Sequence, residues 1–258
     1  KSYMICDKNH PASHPLAIKK FQESMEVIEL DGRENMSLLE KKLEELEVDA
    51  VYIQKCGKKD DGRFVNNKPM LIHAVGREND PHGHVYAYVS EWLSKECSDY
   101  EHPYIPYMAH LPEHEEDFRA DLNIPLDATV FSRTGGFYSW NIPFVAPTIA
   151  TVLNERDDVY FVFVQTEKFI DHPRVIHIDP FADLAIKRKF INTSDAFLHA
   201  RAEGESFGMA CAEYSICNKP VITYEGSPER NHIFTLGDKG IYYDGPEKLL
   251  EILRTFKY

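Results

Sequence analysis

The sequence predicts an α/β fold made of two successive βαβ domains with parallel sheets. Short β-branched or aromatic runs alternate with amphipathic helical stretches along the 258 residues. The run VYFVFV at 159–164 is apolar on both faces, which is typical of a central parallel strand. The alternation starts again after a segment near 110–127, in which prolines flank an acidic stretch that we expect to be helical. This restart predicts domains at 1–124 and 125–258.

The first domain is predicted to be a reduced N-terminal domain, with five strands and three helices before the acidic segment. Its clearest helix is at 36–47, where Leu38, Leu39, Leu43 and Leu46 fall on one stripe that can pack on a sheet. The strands are predicted at 3–6, 27–30, 49–55, 70–75 and 85–90, and the helices at 16–22, 36–47 and 91–97.

The second domain repeats the alternation, so both domains are predicted to be Rossmann-like. Ligands of such open sheets bind beyond the carboxyl ends of the strands, and a cleft between two sheets is the expected site. The strands are predicted at 128–133, 159–165, 175–179, 195–200, 220–224 and 240–243, and the helices at 144–154, 182–191 and 207–216 with one more at the end of the chain.

Composition and charge exclude several classes of function. The net charge of −13 and the pI near 5.4 provide no basic field for nucleic acid or an anionic membrane. No apolar run reaches the roughly 18 residues that a transmembrane helix needs, and no secretory signal opens the chain. The five cysteines form no CxxC pair, which favours reduced thiols in a cytoplasmic protein. The first residue is Lys1 rather than Met, so we expect a piece of a longer polypeptide.

Two glutamates stand eight positions apart after the predicted strand at 195–200. Glu205 lies in a turn between Gly204 and Gly208 at a predicted helix start, where free N–H groups and the helix dipole favour an anion. Glu213 lies on that helix, and eight residues give about 80° of net rotation, so both carboxylates can border one cleft. Carboxylates there suit the vicinal hydroxyls of ribose or a hexose. Alternatively, Glu205 is a helix N-terminal charge and Glu213 a solvated surface residue.

The stretch 195–224 resembles the signature of retaining family-4-type glycosyltransferases (glycosyl transferases group 1) of the GT-B fold. In that family a Glu in an E-G-F-G turn precedes a second Glu and then a Lys-Pro-Val-Ile strand, and ESFGMACAE at 205–213 followed by KPVI at 219–222 matches this order. The resemblance implies that Glu205 lies against the donor sugar and that Glu213 holds the nucleotide ribose. It further implies that the amides of Ser206, Phe207 and Gly208 face the sugar and diphosphate.

The resemblance also implies a cation for the diphosphate at the end of the strand that opens the second domain. Arg133 stands there, followed by Gly135 and Gly136, whose turn can present N–H groups to phosphate. The family usually has a Lys about six residues later, where this chain has Ser139 and Trp140. Arg201, in the unusual sequence His-Ala-Arg at 199–201, or Arg230 can supply the second cation. A plain turn is the alternative for the motif RTGG.

Three further positions are expected to contribute to the site. His73 ends an apolar strand of the first domain, where related enzymes carry a His that faces the donor sugar; a structural His is the alternative. Asp179 follows a strand of the second domain, in the stretch that usually contacts the base. His232, in the loop SPERNHIF with Arg230, is a further candidate ligand. The loop NHPASHP at 9–15 is where an acceptor-facing loop is expected.

No metal site is expected. The pairs His82 with His84 and His110 with His114 lack Cys partners and any HExxH motif, so they are interpreted as scattered histidines. The aspartate pair Asp60 and Asp61 is interpreted as part of a solvated loop, because its neighbours are rich in charged residues and turn formers.

These observations together predict a glycosyltransferase. Domain 1–124 would be the acceptor side and domain 125–258 would bind the nucleotide sugar, with the two facing across a cleft. The enzyme would transfer a sugar from a nucleotide-diphosphate donor to a carbohydrate or glycoconjugate acceptor, with retention, without metal and without a cofactor. Glu205, His73 and Arg133 would be catalytic, because the leaving diphosphate needs cations and oriented N–H groups. A nucleotide-sugar epimerase on the same fold and a non-catalytic glycan- or nucleotide-binding module are the alternatives.

Overall fold

The computed structural model describes residues 1–7, 9–10, 13, 15–31, 36–60 and 64–257. The chain forms two compact units, Lys1–Pro106 and Tyr107–Tyr258. Residues 11, 12 and 14 of the predicted loop at 9–15 and residue 61 of the pair at 60–61 lie outside the described residues. Within the described ranges, no helix is both long enough and apolar enough to cross a membrane. None of the five cysteines, all of which lie within the described ranges, forms a disulfide.

The first unit contains two small parallel sheets, one of two strands and one of three. Each predicted strand of this half is confirmed, because its β-branched and aromatic residues suit a pleated surface. Ser90 caps the third helix by accepting a hydrogen bond from the amide of Leu93 at 3.2 Å. The elements are β1 (Tyr3–Asp7), α1 (Pro15–Gln22), β2 (Glu26–Leu30), α2 (Met36–Glu45), β3 (Val51–Lys55), β4 (Met70–Ala74), β5 (Val85–Tyr88) and α3 (Glu91–Ser98); β1 pairs with β2, and β4 lies between β3 and β5.

The second unit is built on a six-stranded parallel sheet with the order β13-β11-β9-β6-β7-β8. Counted within the unit, this is the 3-2-1-4-5-6 order of a Rossmann sheet. The direction of winding reverses between β6 and β9, which makes the carboxyl ends of these two strands the topological switch point. The sheet strands are β6 (Thr129–Arg133), β7 (Val159–Val164), β8 (Val175–Ile178), β9 (Ala196–Leu198), β11 (Val221–Tyr224) and β13 (Ile241–Tyr243).

Helices cover both faces of this sheet. Phe161 and Phe163 of β7 belong to one hydrophobic cluster, whereas Val162 and Val164 belong to the cluster on the opposite face. The prediction of a central strand that is apolar on both faces is therefore confirmed. Helices α4 and α8 pack together on the first face. The helices are α4 (Val145–Glu155), α5 (Leu184–Thr193), α6 (Met209–Ile216), α7 (Asn231–Leu236) and α8 (Pro246–Thr255), with short 3₁₀ turns at Phe137–Ser139 and Gly237–Lys239.

The acidic segment at 113–121 belongs to the second unit and packs against other parts of it. The expectation of a helix at 113–121 is wrong. The chain there contains no helix and forms only a turn near its end, where the amide of Leu122 donates to the carbonyl oxygen of Phe118 at 2.9 Å, while side chains and distant backbone supply its other partners. The amide of Phe118 donates to Thr193 Oγ1 at 2.9 Å, and the buried Arg119 donates to Asp195 at 3.0 Å and to the carbonyl oxygen of Ala128 at 2.9 Å. The division between the compact units consequently falls at 106/107, before the predicted boundary at 124/125.

Candidate functional site

The switch point of the second unit brings together the ends of two strands and two loops. Arg133 is the last residue of β6, and His199 directly follows β9. Crevices of this kind are where open α/β sheets bind their ligands, because helix N-termini and loops converge there while the strands hold them rigidly. The residues of this crevice therefore form the candidate site.

A two-residue ribbon positions Glu205 in the crevice. Strand β10 (Gly204–Glu205) pairs in parallel with β12 (Glu229–Arg230). Gly204 has φ +76°, and a Cβ placed there would lie 2.0 Å from the carbonyl oxygen of Glu229 and 2.6 Å from Cβ of Ser227. Only glycine fits this close approach of two backbones. The ribbon thus fixes the backbone from which the Glu205 side chain projects.

The carboxylate of Glu205 is held by two basic side chains. His199 Nε2 lies 3.2 Å from Oε1, and a terminal nitrogen of Arg201 lies 3.2 Å from Oε2. The Glu205 side chain is 22% exposed, so it is mostly shielded but reachable. Burial alone would raise the pKa of Glu205, but the hydrogen bond from His199 and the cation of Arg201 outweigh it and lower that pKa. At neutral pH the site therefore presents an ionised carboxylate.

His199 connects Glu205 to the sheet. Its Nδ1 lies 2.8 Å from Oγ1 of Thr223 on β11, and its own carbonyl oxygen accepts a hydrogen bond from the Tyr243 hydroxyl at 2.9 Å. Sequence analysis noted the His-Ala-Arg stretch as unusual but did not assign His199 to the site. Its partner Thr223 lies 24 residues further along the chain, and no local pattern indicates a contact over that separation.

His232 packs directly against this group. Its ring centroid lies 4.9 Å from that of His199. A Cβ placed on Gly208 would lie 3.2 Å from Cβ of His232. His232 is 1% exposed, and neither ring nitrogen has a hydrogen-bond partner among the described residues. Burial lowers the pKa of His232 to about 3. His232 is therefore a neutral imidazole in the wall of the site. The other candidate of this loop, Arg230, donates to the carbonyl oxygen of Glu225 at 2.6 Å.

Arg133 lies at the predicted place, but its side chain is turned into the protein. It is 2% exposed, and its two terminal nitrogens donate to the carbonyl oxygen of Gln165 (3.2 Å), Thr166 Oγ1 (2.5 Å), the carbonyl oxygen of Gly136 (2.8 Å) and Ser139 Oγ (2.6 Å). Burial lowers the pKa of Arg133 to about 10, so it stays charged at neutral pH. Here Arg133 holds the turn of Gly135 and Gly136 and contributes a buried positive charge.

The loop that carries Arg201 is tied to the loop after β6. Asn141 Oδ1 accepts from the amide of Ala202 at 2.8 Å, and its Nδ2 donates to the carboxylate of Glu203 at 2.9 Å. Arg201 keeps a third of its side chain exposed while it contacts Glu205. Arg201 is thus a cation of the predicted set that is both anchored and partly accessible.

Glu213 is buried in a separate ion pair. Its Oε1 accepts from Nζ of Lys187 on α5 at 2.8 Å, and its side chain is 8% exposed. Glu205 contacts His199 and Arg201 instead, so the two glutamates have different partners. Sequence analysis did not identify Lys187, which lies 26 residues before Glu213.

The remaining predicted residues of the second unit surround the start of α6. Gly208 has φ +90° and precedes the first residue of that helix. The Phe207 carbonyl oxygen accepts from Nδ2 of Asn231 at 2.7 Å, and its ring contacts Tyr107 with centroids 5.1 Å apart. Ser206 is half-buried between Glu205 and Phe207, and Asp179 is exposed directly after β8. The turn of Gly135 and Gly136 leads into the 3₁₀ turn Phe137–Ser139.

His73 belongs to the first unit and is buried on β4. Its Nε2 lies 2.8 Å from the carbonyl oxygen of Ile105, and its Nδ1 lies 2.5 Å from the Tyr52 hydroxyl. Since a carbonyl only accepts, Nε2 carries the proton and Nδ1 accepts from Tyr52. Both ring nitrogens are therefore engaged within the first unit, and the role of His73 opposite a donor sugar stays a prediction.

The described part of the chain brings no three His, Cys, Asp or Glu side chains together in a group that could hold a metal ion. His82 Nδ1 lies 2.6 Å from the carbonyl oxygen of Asp80, and His84 Nδ1 accepts from the amide of Met70 at 3.2 Å. His114 Nε2 contacts the carbonyl oxygen of Ala185 at 2.9 Å. These histidines thus have separate backbone partners.

No protein-family model matches the chain, and no curated protein is similar to it in sequence. Solved structures match its fold. A glycosyltransferase from Rickettsia africae ESF-5 has a TM-score of 0.67 at 15% identity, over 96% of this chain and 78% of that one. Anabaena HepE, solved with UDP-glucose, has a TM-score of 0.67 at 12% identity, over 98% and 88%. A putative UDP-N-acetylglucosamine 2-epimerase from Listeria monocytogenes has a TM-score of 0.57 at 13% identity, over 92% and 82%.

These likenesses show the fold of this chain. Together with the parallel six-stranded sheet, they confirm the predicted α/β, GT-B-like class with Rossmann-like architecture. What the individual relatives bind or catalyse is a property of those proteins.

Proposed function

We propose that this chain is a glycosyltransferase that transfers a sugar from a nucleotide-diphosphate donor, with the donor bound at the switch point of the second unit. The observation that carries the proposal is the ionised, partly exposed Glu205, fixed between His199 and Arg201 at the carboxyl ends of the sheet strands. A carboxylate held in this way can accept hydrogen bonds from two sugar hydroxyls. The glycosyltransferase neighbours, one of them solved with UDP-glucose, support the same conclusion.

The charges around the crevice suit a leaving diphosphate. Arg201 offers an accessible guanidinium, the buried cation of Arg133 adds positive potential, and the first free amides of α6 follow Gly208. The proposal includes a transfer reaction that retains the anomeric configuration, as in family-4-type glycosyltransferases, and that uses no metal. In it, Glu205 lies against the donor sugar and Glu213 lies near the ribose. His73 of the first unit and Asp179 complete the proposed set.

The test is release of nucleotide from UDP-, GDP-, ADP- and dTDP-sugars, first with donor alone and then with a panel of carbohydrate acceptors. We expect one donor class to release nucleotide in an acceptor-dependent manner, and Glu205→Gln to abolish that release. The matched control is Glu247→Gln, because Glu247 is an exposed glutamate at the start of α8. Full activity in Glu205→Gln, or no turnover of any donor by the wild type, would reject the proposal.

An epimerase is the second candidate, favoured by the likeness to the Listeria epimerase over 92% of this chain. An epimerase converts the sugar of its nucleotide sugar without any acceptor. Incubation with UDP-N-acetylglucosamine alone, followed by chromatographic separation of the sugar epimers, therefore distinguishes the two activities. A module that only binds would saturate with nucleotide sugar and give neither product.

A further inference from the structure

We propose that His199 is a positioning residue that orients the Glu205 carboxylate, and that Thr223 fixes His199 for this task. The three side chains form a continuous hydrogen-bonded series, with 2.8 Å between Thr223 Oγ1 and His199 Nδ1 and 3.2 Å between His199 Nε2 and Glu205 Oε1. We call this series the Thr–His–Glu chain. The inference rests on the proposed function, in which Glu205 is the carboxylate that faces the donor sugar.

The chemistry of the donors and acceptors defines the direction of this series. An ionised carboxylate only accepts hydrogen bonds, so Nε2 of His199 carries the proton that it donates to Glu205. Nδ1 accepts when the imidazole is neutral and donates when it is charged. The hydroxyl of Thr223 can serve either state, because it is both a donor and an acceptor. The bond from Nε2 to Glu205 is therefore retained whichever state His199 adopts.

The sheet makes His199 rigid enough to orient another side chain. Thr223 is 0% exposed and His199 is 5% exposed. The backbone amide of His199 donates to the carbonyl oxygen of Ile222 at 2.8 Å, and its carbonyl oxygen accepts from the Tyr243 hydroxyl at 2.9 Å. Glu205 itself projects from the ribbon that Gly204 holds against β12. Both ends of the Thr–His–Glu chain are thus anchored in the backbone of the second unit.

The other groups around the Thr–His–Glu chain cannot take over from His199. Arg201 reaches the second carboxylate oxygen, Oε2, and leaves Oε1 to His199. His232 lies against the His199 ring, but its ring nitrogens have no hydrogen-bond partner in the part of the chain that the structure describes, and it is neutral. Arg133 contributes charge near Glu205, but its terminal nitrogens bond elsewhere. Without His199, Oε1 would lose the one donor that this structure gives it among the described residues, and Arg201 alone would hold the carboxylate, through Oε2.

The experiment compares His199→Leu, His199→Gln and Thr223→Val with the control His110→Leu. The Gln amide can still donate to Glu205, the Leu side chain cannot, and His110 is an exposed histidine of the same unit. The first readout is the carboxyl ¹³C titration of Glu205 by NMR, which needs no turnover. The second readout is kcat and KM with the donor found above, measured across pH.

We expect His199→Leu to move the Glu205 titration to higher pH, and to lower kcat about tenfold with little change in donor KM. His199→Gln should recover most of both effects, Thr223→Val should show a smaller change in the same direction, and His110→Leu should match the wild type. An unmoved titration in His199→Leu, or His199→Gln no better than His199→Leu, overturns the inference. If His199→Leu does not fold, an unchanged titration in Thr223→Val overturns it. If the wild type turns over no donor, the proposed function fails while the titration still decides the role of His199.

Discussion

Replacing Gly204 with alanine should destabilise the second unit and displace the glutamate at the centre of the site. At Gly204, φ is +76°, and a new Cβ would lie 2.0 Å from the carbonyl oxygen of Glu229 and 2.6 Å from Cβ of Ser227. The obstacle is backbone of the paired strand β12, which cannot rotate away as a side chain can. Accommodating the methyl group therefore requires β10 and β12 to separate.

The expected loss in the free energy of unfolding of Gly204→Ala is the sum of two contributions. A non-glycine residue in this backbone region costs on the order of 1–3 kcal/mol. Forcing a methyl group into packed surroundings adds about 1–3 kcal/mol. The total of roughly 2–6 kcal/mol is a large part of the typical stability of a domain. The bonds that hold the Glu205 carboxylate would be disturbed at the same time, because Glu205 is the next residue.

The assay is urea unfolding of Gly204→Ala beside Gly237→Ala. Gly237 also has a positive φ, +54°, but a Cβ there would meet nothing within 4 Å, so it reports the backbone contribution alone. We expect Gly204→Ala to lose at least about 1 kcal/mol more than Gly237→Ala, which is the smallest steric contribution. Equal losses in the two variants would refute the argument that the β12 backbone excludes a side chain at position 204.

Two other predictions concern buried charge. His232→Leu should be at least as stable as the wild type at pH 7, since it removes two buried nitrogens that have no hydrogen-bond partner among the residues described. The difference in free energy of unfolding between the variant and the wild type should grow as pH falls from 7 to 5. The reason is that the His232 imidazole gains a proton near pH 6.5 in the unfolded wild type, whereas in the folded wild type its pKa is about 3. This difference changes by at most about 1.4 kcal/mol per pH unit. Melting curves at several pH values measure this, and a constant difference would contradict it. Lys187→Met leaves the Glu213 carboxylate buried without its cation and should cost roughly 1–3 kcal/mol in urea unfolding, with partial recovery when Glu213→Gln is added. No recovery in the double variant would argue against the ion pair.

Strands and most helices follow from local patterns. The run at 159–164 is apolar on both faces, and its alternate residues enter the clusters on either side of the sheet. The acidic stretch at 113–121 shows the limit of this approach. Its composition suits a helix, but Arg119 obtains more hydrogen bonds from the carbonyls and Asp195 of the folded second unit than an exposed helix would provide. Tertiary contacts of this kind override local propensity.

For the candidate site, too, local patterns locate some residues, whereas tertiary contacts decide where their side chains point. Glu205, Gly208 and the start of α6 could be located from a short motif, because a strand, a turn and a helix follow each other in the chain. Arg133 stands at the predicted strand end, but its guanidinium bonds to Thr166 and Ser139 rather than pointing outward. A side chain's direction depends on acceptors that arrive from other loops, so its position in the sequence does not determine it.

Sequence alone determined the α/β class and the place of Glu205 between a sheet strand and a helix, since these depend on neighbours within a few residues. Tertiary structure decided the partners of each charge: Lys187 for Glu213, and His199 with Thr223 for Glu205. Those partners lie between 6 and 26 residues apart in the chain. His199 and Thr223 meet because neighbouring parallel strands align their carboxyl ends at one edge of the sheet. Lys187 meets Glu213 because α5 and α6 pack on the same face of that sheet. Both arrangements exist only after the chain has folded.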